Sequence, residues 1–139
     1  MPNTRVYQEI ARETAPPTLV VAHVLNRAIR YTSEAEEAIP AGDIARAHDR
    51  LIRAQMAISA LRTALRPAAA PDLVRNLEAV YAWAYDTLVD ANVAKSADRL
   101  GDVQRVLGTL EAAWRDVGAP RDAATGRETE SATHVAFAE

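Results

Sequence analysis

The 139-residue sequence has no cysteine, which excludes a disulfide and a thiolate metal site. Its five glycines and its few β-branched runs argue against a sheet. No apolar run approaches the roughly 20 residues needed to span a bilayer, and the opening stretch MPNTRVYQEIARET lacks the apolar core of a signal peptide. We therefore expect an all-α protein of the cytoplasm that does not insert into a membrane.

An excess of positive charge is also missing. The formal net charge is −3 and the isoelectric point is near 5.6. Binding to nucleic acid by release of counterions needs a basic surface, and this composition does not indicate one. We therefore expect no nucleic-acid partner.

Motifs for metal, cofactor or catalytic chemistry are absent from the sequence as well. A di-iron site in a helix bundle needs Glu-x-x-His on two helices, but the residues three positions before the histidines are Val20, Ala45 and Ser131. There is no glycine-rich phosphate loop and no G-x-S-x-G elbow. The acidic run EAEE at 34–37 is typical of a solvated face. We expect no metal, no cofactor and no enzymatic activity.

What the sequence does contain is a succession of alanine-rich amphipathic segments, whose ends are marked by capping residues, prolines and glycines. These marks predict four helices. The first starts after Thr14 and stops at Pro40-Ala-Gly42, the second has Asp43 as its N-cap and ends before Pro67, the third runs from about Asp72 to Ala94, and the fourth is capped by Ser96 and ends at Gly118.

Apolar residues repeat by three and four along each predicted helix, as one buried face requires. The predicted core stripes are Val21, Val24, Ala28, Tyr31, Ala35 and Ala38 in the first helix; Ile44, Ala47, Leu51, Ala54, Ile58, Leu61 and Leu65 in the second; Leu77, Val80, Ala84, Leu88 and Ala91 in the third; and Leu100, Val103, Leu107, Leu110, Trp114 and Val117 in the fourth.

Helices of about 20 residues with short connections favour an antiparallel up-down four-helix bundle. We assign residues 14–118 to this bundle. Residues 1–13 are expected to form a short helical cap segment through Val6 and Ile10. The polar residues 119–139 are expected to be a disordered, mobile tail.

One short stretch suggests a different class of protein. AHVLNRA at 22–28 resembles the histidine motif of phosphotransfer bundles, Ala-His-x-Leu-Lys-Gly-Ala, which would make His23 the phosphate acceptor. Asn26 replaces the lysine of that motif and Arg27 replaces its glycine. A surface histidine on an amphipathic helix explains the same residues, so phosphotransfer is the alternative function. Label transferred to His23 from a phosphorylated response regulator would support it.

Several apolar residues do not belong to a core stripe. Ile52 and Met56 lie off the stripe of the second helix, and Trp83 is about 200° from Tyr81 if the third segment is helical. A tilted bundle that buries a wide arc would accommodate some of these residues. Contiguous exposed apolar surface more often marks a partner site, and methionine with aromatic residues suits a groove for an amphipathic helix. We therefore expect such a groove along the outside of the second and third helices.

The order of these residues resembles the flagellar secretion chaperone family, FliS, over about residues 7–117. The similar stretches are Tyr7 ahead of TAPPTL, AIRYTSEAEEAI, LIRAQMAISALRTAL, the segment with Asn76-Leu77, Tyr81, Leu88 and Ala91-Asn92, and LEAAW ending at Trp114. The chain departs from the family pattern at VLNR, residues 24–27, where the family commonly has Leu-Tyr-Asp-Gly, and at Trp83, which replaces the second aromatic of a Tyr-x-Tyr pair.

The resemblance implies an export chaperone that binds the disordered C-terminal segment of flagellin as helical pieces in apolar surface grooves. Binding would prevent premature polymerisation and deliver flagellin for flagellar type III secretion. The chaperone's own N-terminal segment can cover part of this surface, and the flagellar export gate is a second candidate partner. We expect a monomer or a weak homodimer. The candidate client-binding residues are Ile52, Met56, Ile58, Tyr81, Trp83, Tyr85, Leu88 and Asn92, and the candidate lid residues are Tyr7 and Ile10.

Overall fold

The computed structural model describes residues 17–66 and 70–118, and within these two ranges it contains four helices and no strand. The helices are α1 Pro17–Ala38, α2 Ile44–Thr63, α3 Pro71–Ala94 and α4 Leu100–Gly118. They pack against one another, which confirms the prediction of an all-α four-helix bundle. The predicted cap segment 1–13 and the predicted tail 119–139 lie outside the described residues.

The connection between α1 and α2 follows the predicted signals. Gly42 adopts φ +76°, a conformation that favours glycine. Asp43 is the N-cap of α2, and its Oδ1 accepts a hydrogen bond of 3.1 Å from the Arg46 backbone N–H. The sharp turn and the cap together reverse the chain direction between the two helices.

The start of α4 differs from the prediction that Ser96 is its N-cap. Ser96 Oγ accepts from the Asp98 backbone N–H at 3.3 Å, within a turn that precedes the helix, and α4 begins only at Leu100. The backbone N–H of Leu100 donates to Ala97 O in the same turn. Ser96 therefore organises the connection and not the first turn of α4.

Side-chain pairs show that the neighbouring helices are antiparallel. Between α2 and α3, Arg62 Nη2 lies 2.7 Å from Glu78 Oε1 and His48 Nδ1 lies 3.0 Å from Asn92 Nδ2, so later residues of α2 meet earlier residues of α3. The end of α1 meets the start of α4, where Gln104 donates to Glu36 at 3.1 Å. The chain therefore runs up and down as predicted.

The helix–helix interfaces are unequal. α1 packs extensively on both α2 and α4, whereas α3 packs mainly on α2 and only slightly on α4. Small residues account for the close packing around α1, because Ala22, Ala28 and Ala35 are fully buried and allow a neighbouring helix to approach. The α3–α4 edge is therefore the loosest side of the bundle.

The core contains most of the predicted stripe residues. Several assignments change. Ile44 is half exposed at the start of α2, and Leu25, which lies off the predicted stripe of α1, is fully buried. Val24 and Tyr31 are only half-buried, so the buried face of α1 is rotated towards Leu25. Trp114 is a core residue, as expected.

Tyr81 brings an unsatisfied polar group into the core. Its side chain is fully buried, and its hydroxyl has no hydrogen-bond partner among the described residues. A buried hydroxyl without a partner loses its hydration without compensation. The same burial raises the pKa of Tyr81 well above its ordinary value.

We expect Tyr81→Phe to raise the free energy of unfolding by about 1 kcal/mol at pH 7, because it removes this desolvated hydroxyl. The wild type should also lose stability above about pH 10, since Tyr81 loses its proton in the unfolded chain first. Chemical denaturation at pH 7 and pH 10.5 measures both effects. A Tyr81→Phe protein less stable than wild type at both pH values would contradict this account.

Candidate functional site

The structure separates the eight candidate client-binding residues by exposure. Met56 is exposed; Ile52, Trp83, Tyr85 and Asn92 are half-buried; and Ile58, Tyr81 and Leu88 are fully buried. The candidate lid residues Tyr7 and Ile10 lie outside the described residues. The eight positions therefore do not form one continuous surface.

Three of the candidate client-binding residues, Ile58, Tyr81 and Leu88, are core residues in this structure. All three have 0 % relative exposure and belong to the central apolar cluster. The physical reason is the width of the buried arc, because each helix of the bundle is flanked by two neighbours and covers more than one narrow stripe. These residues hold α2 and α3 in the core.

Met56 is the prominent apolar residue of the outer surface. It is 66 % exposed. It borders an open depression of about 570 Å³ on the C-terminal half of α2, lined by Met56, Ser59, Ala60, Thr63, Ala64 and Arg66. Most of these side chains are small, so another helix could approach the backbone of α2 closely and cover the methionine. We call this surface the Met56 surface.

The edge between α2 and α3 is closed by a polar side-chain pair at each end. His48–Asn92 closes one end and Arg62–Glu78 closes the other, about 21 Å apart along α2 at 1.5 Å per residue. The same antiparallel register places Gln55 opposite Tyr85 at the centre. Ile52 is half-buried and lies one helical turn before Met56 on the same face of α2, so these two predicted residues are neighbours.

Asn92 is engaged within the protein. Its Nδ2 lies 3.0 Å from His48 Nδ1, where it can donate to a neutral imidazole, and its Oδ1 accepts from Lys95 Nζ at 2.7 Å. Lys95 ends α3 with a left-handed backbone, φ 50° and ψ 47°, and also donates to Asn92 O at 2.6 Å. Asn92 therefore connects α3 to α2 and to the following turn, and its amide is not free to cap a client.

Trp83 does not lie on the α2–α3 edge. At about 100° per residue, it is about 140° round α3 from Glu78 and about 180° from Asn92, the two residues that contact α2. It is half-buried and packs against the core cluster. The position of Trp83 therefore does not support a single groove along α2 and α3. Trp83 marks a second surface, on the side of α3 that borders the loose α3–α4 edge.

Two exposed apolar residues escaped the sequence-based prediction. Val93 is 83 % exposed in the last turn of α3, and Val20 is 41 % exposed near the start of α1. No signal in the sequence distinguishes them, because valine is common in the core as well as at the ends of helices. The small residues beside Met56 were not predicted as part of a surface either, because short side chains give no apolar pattern in the sequence.

The described part of the chain offers little support for a metal site, for phosphotransfer or for a membrane span. It holds no group of three or more histidine, cysteine or carboxylate side chains that could bind a metal ion. His23 is exposed on α1, as the alternative function requires, but exposure alone is what a surface histidine would show. None of the helices in the described ranges is long and apolar enough to cross a membrane.

Comparison with known proteins identifies the family of this chain. The chain is 28 % identical over 109 residues to the flagellar secretion chaperone FliS of Bacillus subtilis (strain 168), covering 78 % of this chain and 80 % of that protein. The family model described as flagellar protein FliS matches residues 1–121. The chain therefore belongs to the flagellar protein FliS family.

Proposed function

We propose that this protein is a non-enzymatic export chaperone that binds the disordered C-terminal segment of flagellin and keeps it from polymerising before type III secretion. The family membership and the chaperone name of the Bacillus subtilis relative support the export role. Because the client has to be bound before it is exported, the protein acts in the cytoplasm.

The observation that carries the proposal is the Met56 surface. A methionine that is 66 % exposed borders an open depression of small side chains, and Ile52 lies one helical turn before it on the same face of α2. Small residues permit a close helix–helix approach, and the flexible thioether adapts to the apolar face of the arriving helix. An amphipathic helix of the client would bury this methionine, and this binding requires no catalysed reaction.

The separation of Met56 and Trp83 determines how the client must bind. Met56 lies on the outer face of α2, and Trp83 lies on the side of α3 that faces away from α2. One straight helix cannot cover both. We propose that the flagellin segment contributes two short helices joined by an extended linker, one on the Met56 surface and one beside Trp83.

The experiment that tests this function is a titration of the protein with a synthetic peptide of the flagellin C-terminal segment. We expect one-to-one binding with a Kd in the micromolar range or tighter and a change in tryptophan fluorescence on saturation. Trp114 is buried in the core and should contribute little to that change. Calorimetry measures affinity and stoichiometry independently of the fluorescence.

The Trp83→Phe variant is the control for this titration. It should bind the peptide in calorimetry and lose most of the fluorescence change, since only the buried Trp114 remains. Absence of binding heat with the wild type would reject the proposed function. Binding with an unchanged fluorescence would instead reject the assignment of one client helix to Trp83.

A further inference from the structure

The fold concentrates positive charge on one side of a protein whose net charge is −3. Five arginines lie along the edge between α1 and α2, and two carboxylates lie among them. We call this the arginine surface; its members are Arg27, Arg30 and Glu34 of α1 and Arg46, Asp49, Arg50 and Arg53 of α2. Its local charge is therefore opposite in sign to that of the whole chain.

The two carboxylates of the arginine surface both pair with arginines of α2. Glu34 Oε2 accepts from Arg50 Nε at 2.9 Å and from Arg46 Nη2 at 3.3 Å. Asp49 Oδ2 pairs with Arg53 Nε at 3.0 Å and with Arg50. Hydrogen bonding, chiefly from Arg53, holds the pKa of Asp49 below its ordinary value. These pairs hold the α2 arginines in place, and none of them involves an arginine of α1.

Arg27 and Arg30 are both exposed, and neither has an ion-pair partner among the described residues. They line a cavity of about 180 Å³ together with Tyr31 and Glu34. Spaced three apart, the two guanidinium groups lie on one face of α1, one helical turn apart. Each guanidinium presents a planar pair of N–H donors that matches a carboxylate.

We propose that the arginine surface is a second docking site, which takes an acidic segment of another protein through carboxylate side chains bound by Arg27 and Arg30. Carboxylates three or four residues apart on a helix match the spacing of the two arginines. The remaining surface of the chain is acidic overall, so an acidic partner is repelled elsewhere and directed to this face. Nucleic acid fits less well, since its affinity depends on a basic surface broader than this one.

This site does not depend on the proposed flagellin binding. Its unpaired arginines lie on α1, whereas the client surfaces lie on α2 and α3, so an acidic partner and a client could bind together. Arg27→Glu/Arg30→Glu should therefore leave the affinity for the flagellin peptide within twofold of wild type. The docking site and the flagellin binding can therefore be rejected independently of each other.

Fluorescence anisotropy with labelled deca-glutamate and the full chain tests the docking site at 50 mM and 300 mM salt. We expect saturable binding at low salt that weakens at high salt, and at least a fivefold higher Kd for Arg27→Glu/Arg30→Glu. The control is Arg75→Glu/Arg105→Glu on α3 and α4, which makes the same charge change at side chains that are 77 % and 73 % exposed. That control should change the Kd less than twofold.

Three outcomes would overturn the proposal. Equal weakening by both double variants would show non-specific attraction. Tighter binding of a labelled single-stranded RNA than of deca-glutamate would make the surface a nucleic-acid site. A threefold or larger gain in deca-glutamate affinity in the full-length Glu128→Gln/Glu130→Gln variant would show that the chain's own acidic residues compete for the arginines.

Discussion

Replacing Ile58 by alanine is expected to lower the free energy of unfolding by about 3 kcal/mol and the Tm by roughly 10 °C. Ile58 has 0 % exposure and belongs to the central apolar cluster, so truncation leaves a cavity between the helices. The folded fraction should bind the flagellin peptide with nearly unchanged affinity. Thermal and urea unfolding measure the first effect, and calorimetry on the native protein measures the second.

The matched control is Met56→Ala, two residues away on the same helix. Because Met56 is 66 % exposed, its truncation should change the free energy of unfolding by no more than about 0.5 kcal/mol. If Ile58→Ala left stability unchanged and weakened peptide binding instead, Ile58 would be a client contact after all. The bundle would then have to open when it binds.

Met56→Glu is expected to weaken binding of the flagellin C-terminal peptide at least tenfold, which corresponds to about 1.4 kcal/mol. Binding would otherwise bury the exposed methionine, which contributes on the order of 1–2 kcal/mol. The glutamate adds the cost of desolvating a charge against small and apolar neighbours. Calorimetry at fixed salt gives the Kd of the variant relative to wild type.

Ala112→Glu on α4 is the control for this experiment. It adds the same negative charge at an exposed helical position away from the Met56 surface, and it should change the Kd less than twofold. Equal losses in the two variants would point to long-range charge repulsion, and no loss in Met56→Glu would remove this surface from the client-binding site.

The helices and most of the core could be predicted from sequence because their causes are local. Asp43 caps α2 by accepting a hydrogen bond from a backbone N–H only three residues later, and Gly42 allows the turn before it. The three-and-four spacing that placed Leu51, Ala54 and Leu61 in the core needs no knowledge of other helices. Ser96 was misassigned because the same residue type also stabilises turns that precede a helix.

The candidate site was less predictable because exposure depends on what covers each helical face. Periodicity put Met56 off the core stripe, and its exposure agrees. Ile58 was a stripe residue, and its full burial supports its place in the core. Trp83 was correctly separated from Tyr81 by helical angle. The helix that lies beside Trp83 was not predictable, since a helical wheel does not say which side of α3 faces α2.

By itself the amino-acid sequence determined four amphipathic helices, their approximate ends and the stripes that make the core. Only the tertiary structure decided that α1 packs most extensively, that Met56 and Trp83 belong to different surfaces, and that arginines from α1 and α2 meet along one edge. The reason is geometric. Helical periodicity orients a side chain relative to its own axis, whereas the packing of neighbouring helices determines which orientations are covered and which charges are brought together.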